Sequence, residues 1–152
     1  VETNGDGLYA VFGFEQTNKT KKAQSALQAA KAILANLESL NQTYFLTHFG
    51  QHMQVGIGIH IGKVVSGAVM IGNEYRPIVM GYPVNIASRI QAATKELNNN
   101  LIVSADTYNL VSHTPAIDPK TVLVQGVSTP LTVYLLGYPY RQTKLNAQSL
   151  GD

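Results

Sequence analysis

Met80-Gly81-Tyr82-Pro83-Val84-Asn85-Ile86-Ala87-Ser88-Arg89 reads as a glycine turn opening a helix that carries an amide and a guanidinium one turn apart. At 3.6 residues per turn, Asn85 and Arg89 stand about 40° apart on one helix face, so both side chains can reach a single ligand. They fall near the helix start. There the unpaired backbone N–H groups and the positive end of the dipole favour an anion, and Pro83 is an early helical residue whose missing N–H needs no partner. The pattern suggests phosphate chemistry. Taken alone it also describes a solvated Asn and Arg, so the rest of the chain has to decide.

A second element lies near the start, Glu2-Thr3-Asn4-Gly5-Asp6-Gly7-Leu8-Tyr9-Ala10-Val11-Phe12. The Asn-Gly and Asp-Gly pairs supply residues that tolerate positive φ, and the run from Leu8 to Phe12 has the composition of a buried strand. The stretch predicts a hairpin with Asp6 at its tip. An isolated turn Asp usually bonds only its own backbone.

Between and beyond these, residues 20–40 form the clearest helix, with Ala23, Ala26, Leu27, Ala30, Ile33, Leu34 and Leu37 in one apolar stripe expected to pack in the core. Residues 54–69 are rich in Val and Ile and predict a strand. Gly56, Gly58 and Gly62 interrupt it at alternate positions, which lets another backbone or a helix approach one face closely. A helix is expected over 84–97, then a turn at Asn98-Asn99-Asn100, and then a short helix through Val111 with Ser104 as its N-cap. Strands are expected over 121–125 and 131–136, joined around Gly126 and Pro130. From 141 to 152 the sequence is polar and aperiodic, as in a linker or frayed tail.

The chain has 152 residues, 45% of them hydrophobic, which suits one domain with a proper core. Eleven basic and nine acidic side chains leave a net charge of +2, which gives no electrostatic footprint for nucleic acid or an anionic membrane. Cysteine is absent, so disulfides and thiolate metal sites are excluded. His48 and His52 share helical spacing, but Gly50 intervenes and no acidic residue completes a zinc pattern. No apolar run reaches the roughly 18 residues of a membrane span, and no signal peptide opens the chain. The start at Val1 is read as that of a fragment.

Taken in order, the Gly5-Asp6 hairpin, the long helix, Ile57-Gly58-Ile59-His60-Ile61-Gly62-Lys63-Val64-Val65-Ser66-Gly67, and the Gly81 to Arg89 helix resemble the catalytic domain of the class III nucleotidyl cyclases. Leu101-Ile102-Val103-Ser104 and the closing hairpin continue the likeness over nearly the whole chain. The resemblance implies an α/β (α+β) domain of ferredoxin-like type, a mixed and mostly antiparallel sheet with packed helices, its first strand and helices missing. It divides the chain into a partial catalytic domain, 1–140, and a tail, 141–152.

The resemblance also implies chemistry. A purine nucleoside triphosphate, ATP or GTP, is converted to its 3′,5′-cyclic monophosphate with release of pyrophosphate, assisted by two Mg²⁺ or Mn²⁺ ions. Asp6 would be one of two metal-bridging aspartates. Asn85 would position the ribose, and Arg89 would contact the α-phosphoryl group. Glu2 and Ile78 would face the base. His60 occupies a position where the family often has His, and is read as structural. The implied assembly is a cytoplasmic homodimer with shared active sites, possessing no nucleic-acid partner and no membrane contact through this segment.

Several positions depart from the family pattern. The other metal aspartate belongs to a strand preceding the hairpin, so the fragment alone is expected to be inactive. Val124-Gln125-Gly126-Val127 lacks the usual lysine, Met70 replaces a frequent glycine, and Ile78 stands where the family usually has Asp, Thr or Cys. A carboxylate at Glu2 accepts from guanine's N1–H and amino group but meets a lone pair on adenine N1, which points to GTP. The rival reading is a degenerate cyclase-homology domain acting as a regulatory or nucleotide-sensing dimer partner.

Overall fold

The computed structural model describes residues 1–14, 17–111, 118–123 and 129–142. Its centre is a four-stranded sheet in the order β3 (Ile57–Ile59), β6 (Leu101–Ser104), β8 (Leu131–Leu135), β7 (Lys120–Val122). β3 and β6 run parallel, and the remaining pairs are antiparallel. The sheet is therefore mixed and largely antiparallel, as expected. β6 is buried at every residue because it has neighbours on both edges and a helix on its face. Its Leu-Ile-Val composition follows from that position.

That helix is α3, Tyr82–Glu96. Ile86, Ile90 and Ala93 recur at steps of three and four and meet Ile102, Val122 and Val133 in the core. Burying a side chain such as Ile90 completely contributes about 1.5–3 kcal/mol. β3 lies under α3 at the glycines. A methyl group on Gly58 would collide with the backbone of Ala87 and Gln91, and one on Gly56 with the hydroxyls of Thr94 and Tyr140. The alternate glycines thus admit a helix, as the sequence suggests.

α1, Lys19–Leu40, opens on Asn18, whose side chain accepts from Lys21 N at 3.1 Å. Its stripe is only partly covered. Ala23 and Ala30 are buried, the leucines at 27, 34 and 37 are half-buried and Ile33 is exposed, because α1 packs chiefly on α4 (Ala105–Val111), with lesser contact to β3. The helix also runs further than expected. A π-helical stretch, Asn41–Phe45, leads into α2, Leu46–Phe49, which ends at Gly50 with φ 63°. That left-handed residue separates His48 from His52 and breaks their helical spacing. Asn41 is buried, and its amide pairs reciprocally with the backbone of Met53 at 2.7 and 2.9 Å.

Two expectations are corrected. The single strand over 54–69 is really β3 followed by the start of a long two-stranded arm, β4 (Val65–Ile71) against β5 (Glu74–Met80). Its two-residue turn, Gly72-Asn73, has φ 63° at Gly72 only, the pattern of a turn with glycine in its first central position. The hairpin near the start is shorter than expected, β1 (Glu2–Asn4) with β2 (Gly7–Tyr9). Leu8 is 64% exposed instead of buried, since among the described residues the hairpin pairs only with itself and no second layer covers it.

The Asn98-Asn99-Asn100 turn forms as expected, with Asn98 at φ 48°. All three side chains also accept bonds from the chain after β8. Asn98 Oδ1 accepts from Tyr140 N at 3.0 Å, Asn99 Oδ1 from Gly137 N at 3.0 Å, and Asn100 Oδ1 from Tyr138 N at 2.8 Å. Arg141, expected to begin a loose tail, is bound too. Gln54 brackets its backbone at 2.6 and 2.9 Å, and its guanidinium reaches Glu38 at 2.7 Å and His52 at 2.9 Å. The Gln42 amide above all, helped by Arg141, holds the Glu38 carboxyl below its ordinary pKa against the opposing effect of desolvation. The expected strand residues 124–125 and the tail 143–152 lie outside the described residues.

Candidate active site at the start of α3

Gly81 joins β5 to α3 at φ 144°, in the positive region that favours glycine. Val84 N donates to Gly81 O at 3.1 Å and closes the first turn. Pro83 stands in that turn, where no N–H is needed, and its ring fits against Gly62 so closely that a side chain at 62 would overlap it. The start of α3 is thus fixed from below by the loop after β3.

Asn85 and Arg89 emerge from this base side by side. Ile86 and Ile90 face the core, so the helix turns the residue before each of them outward, and both Asn85 and Arg89 are exposed. Among the described residues neither side chain makes a hydrogen bond or ion pair that would divert it from a ligand. An exposed amide and guanidinium beside the positive end of a helix can hold and polarise a phosphorylated ligand.

Ile78 lies on β5 opposite Gly67, half-buried, three residues before Gly81. Asp6 occupies the exposed tip of the β1–β2 hairpin, in a turn where Gly5 alone has positive φ at 63°. The backbone of Glu2 pairs with Tyr9. The structure therefore brings Asn85 and Arg89 together and places Ile78 on the strand that feeds them. Asp6 and Glu2 sit on a hairpin that packs mainly on itself, and it does not join the α3 site within one chain.

A family model described as the adenylate and guanylate cyclase catalytic domain matches residues 1–137. The chain belongs to that family. It is 28% identical over 136 residues to the terminal-differentiation-specific adenylate cyclase of Dictyostelium discoideum, covering 86% of this chain and 6% of that protein. To an adenylate cyclase of Anabaena cylindrica it is 29% identical over 138 residues, covering 86% of this chain and 26% of that one. The chain thus spans under a third of either relative. The solved adenylyl cyclase CyaB from P. aeruginosa superposes with a TM-score of 0.71 at 21% identity, covering 88% of this chain and 66% of that one. A guanylyl cyclase of known structure gives 0.67 at 23% identity, covering 92% and 68%. These likenesses establish the cyclase fold.

In this cyclase domain Asp6 suits a hard divalent cation as one oxygen donor. Among the described residues no group of three His, Cys, Asp or Glu side chains gathers around it or elsewhere. The described residues therefore do not make a complete Mg²⁺ or Mn²⁺ site. No helix among them is long and apolar enough to cross a membrane. What sequence reasoning missed is the arm. Its β4 and β5 expose Val65, Met70, Ile71, Tyr75 and Met80, and the signal that could have found it is Gly72-Asn73 between two apolar runs.

Proposed function

We propose that this cyclase domain serves conversion of a purine nucleoside triphosphate to its 3′,5′-cyclic monophosphate and pyrophosphate. The observation that carries the reading is the pair Asn85 and Arg89, exposed and undiverted on the first turns of α3. In the reaction the ribose 3′-hydroxyl gives up its proton to solvent as its oxygen attacks the α-phosphorus, the bond from that phosphorus to the oxygen shared with the β-phosphate breaks, and pyrophosphate leaves. Asn85 holds the ribose so that the 3′-oxygen is in line. The Arg89 guanidinium donates to the α-phosphoryl oxygens as negative charge concentrates there, which lowers the barrier only if the contact strengthens in the transition state. Asp6 would supply one oxygen ligand to a divalent ion, which would offset negative charge on the phosphates.

The separation of Asp6 and Glu2 from α3 supports a homodimer in which the hairpin of one copy completes the α3 site of the other. The exposed apolar residues of β4 and β5 supply a surface for that association. A nucleoside triphosphate substrate supports a cytoplasmic location for the domain. Ile78, which cannot hydrogen-bond a base, favours a second reading, a cyclase-homology domain that senses nucleotide or regulates a partner. Incubating the full-length protein with Mn²⁺ and ATP or GTP decides between them. Cyclic nucleotide and pyrophosphate in equal amounts support the enzyme, and nucleotide binding without product supports the second reading.

A further inference from the structure

His60 lies between two parts of the fold that the chain order keeps apart. On one side its Nδ1 is 2.9 Å from Ser104 Oγ at the end of β6. Ser104 Oγ is in turn 3.0 Å from Thr107 Oγ1 and accepts from Thr107 N at 3.3 Å, so it also caps α4. Ser104 and Thr107 are fully buried. On the other side, a methyl group at Gly62 would stand 3.6 Å from His60 Nε2 while overlapping the Pro83 ring. His60 Nε2 therefore lies beside Gly62, whose contact with Pro83 supports the first turn of α3.

The proton count of this cluster accommodates a proton on Nδ1 of the ring. A serine hydroxyl has one proton and two lone pairs. Thr107 N–H takes one lone pair, an Nδ1–H on His60 takes the other, and the Ser104 proton goes to Thr107 Oγ1. Ser104 Oγ is then fully paired, and the charge of the ring is decided at Nε2. A second proton on Nε2 would lie beside Gly62 and the Pro83 ring packed on it, whose carbons accept no hydrogen bond, and near the positive end of α3. Burial holds the pKa of His60 below its ordinary value. Asp106 on α4 opposes this, and is the one ionisable side chain among the described residues whose charge acts on the ring.

We propose that His60 is a positioning residue for the first turn of α3, tying Pro83, and with it Asn85 and Arg89, to the Ser104–Thr107 pair, and that it does so as the neutral imidazole. Its kinetic consequence rests on the cyclase reading above. Its consequence for folding does not.

The test uses the full-length protein, its His60→Asn variant, which keeps a polar atom near Ser104 without titrating, and His60→Ala. At pH 8 the Asn variant should retain at least half of the wild-type kcat, while the Ala variant falls about tenfold with KM within about twofold. As pH falls from 8 to 5.5, wild-type kcat should drop several-fold more than that of His60→Asn. Thermal unfolding gives a readout free of activity. The unfolded chain binds the proton more readily, so wild-type stability should fall below the ordinary value of 6.5 faster than that of His60→Asn. Identical pH dependence of stability in wild type and His60→Asn, or an unimpaired kcat in His60→Ala, would overturn the proposal. A wild type that makes no cyclic nucleotide at any pH would instead sink the cyclase reading, leaving the unfolding comparison to decide on His60.

Discussion

Gly58 on β3 lies against the backbone of Gln91 on α3 with no room for a methyl group between them. The contact sets how closely the helix carrying Asn85 and Arg89 approaches the sheet. Gly58→Ala should therefore lift α3 and cost about 1–3 kcal/mol of stability, as overpacking does. Gly67→Ala, on the open arm with nothing near its Cβ, is the control and should leave the melting temperature nearly unchanged. Equal melting temperatures for both variants would mean that the close seat of α3 is not needed for stability.

Asn85→Ala and Arg89→Ala in the full-length protein should lower kcat by about 10²–10³ with little change in KM, because an oriented donor acts mainly on developing charge. Steady-state kinetics with the preferred nucleotide gives the split. A rise in KM at constant kcat would make the pair a ground-state binding device only.

The separation of the β1–β2 hairpin from α3 predicts complementation. Asp6→Ala and Arg89→Ala proteins, each inactive as a homodimer, should regain activity on mixing, since a heterodimer retains one site with both residues intact. Mixtures that stay inactive while both variants dimerise would refute a site shared between copies.

Asn99 accepts from Leu101 N at 3.1 Å and Gly137 N at 3.0 Å, joining the end of α3 to the chain after β8. Asn99→Ala leaves those donors without their acceptor and should cost about 1–3 kcal/mol for each that water cannot reach. Chemical denaturation measures the loss, and a change below about 0.5 kcal/mol would show that water replaces the amide.

Glu2 governs the last expectation. If the protein is active, it should prefer GTP, and Glu2→Lys should shift preference towards ATP by exchanging an acceptor for a donor at the base edge. The switch should be partial, as Ile78 gives adenine's amino group no acceptor. Values of kcat/KM for both nucleotides check it, and a wild type that already favours ATP would remove Glu2 from the base pocket.

Much of this was legible in the sequence where one residue's chemistry has one structural use. Alternate glycines at 56 and 58 announced a backbone or helix pressed onto a strand, Ser104 announced a cap, and Asn98-Asn99-Asn100 a turn. Burial was less legible. Leu8 has the composition of a core residue, yet whether anything covers it depends on neighbours that its own hairpin does not contain. The arm was hidden because Val65 to Val69 prolongs the apolar run of β3, and periodicity cannot show where one strand ends and another begins. The His60 cluster was invisible because its partners are 44 residues apart.

Pro77 sits in the middle of β5, opposite Ala68. An antiparallel ribbon with two bare margins is a template for further strands, and among the described residues β4 and β5 pair only with each other. A proline there leaves a gap in the row of donors, so an added strand could not zip along β5 without interruption. The ribbon can thus offer exposed apolar side chains to a neighbour while resisting fibrous growth along its margin. Replacing Pro77 with valine would restore the missing donor, and the price would appear as turbidity on storage at high concentration.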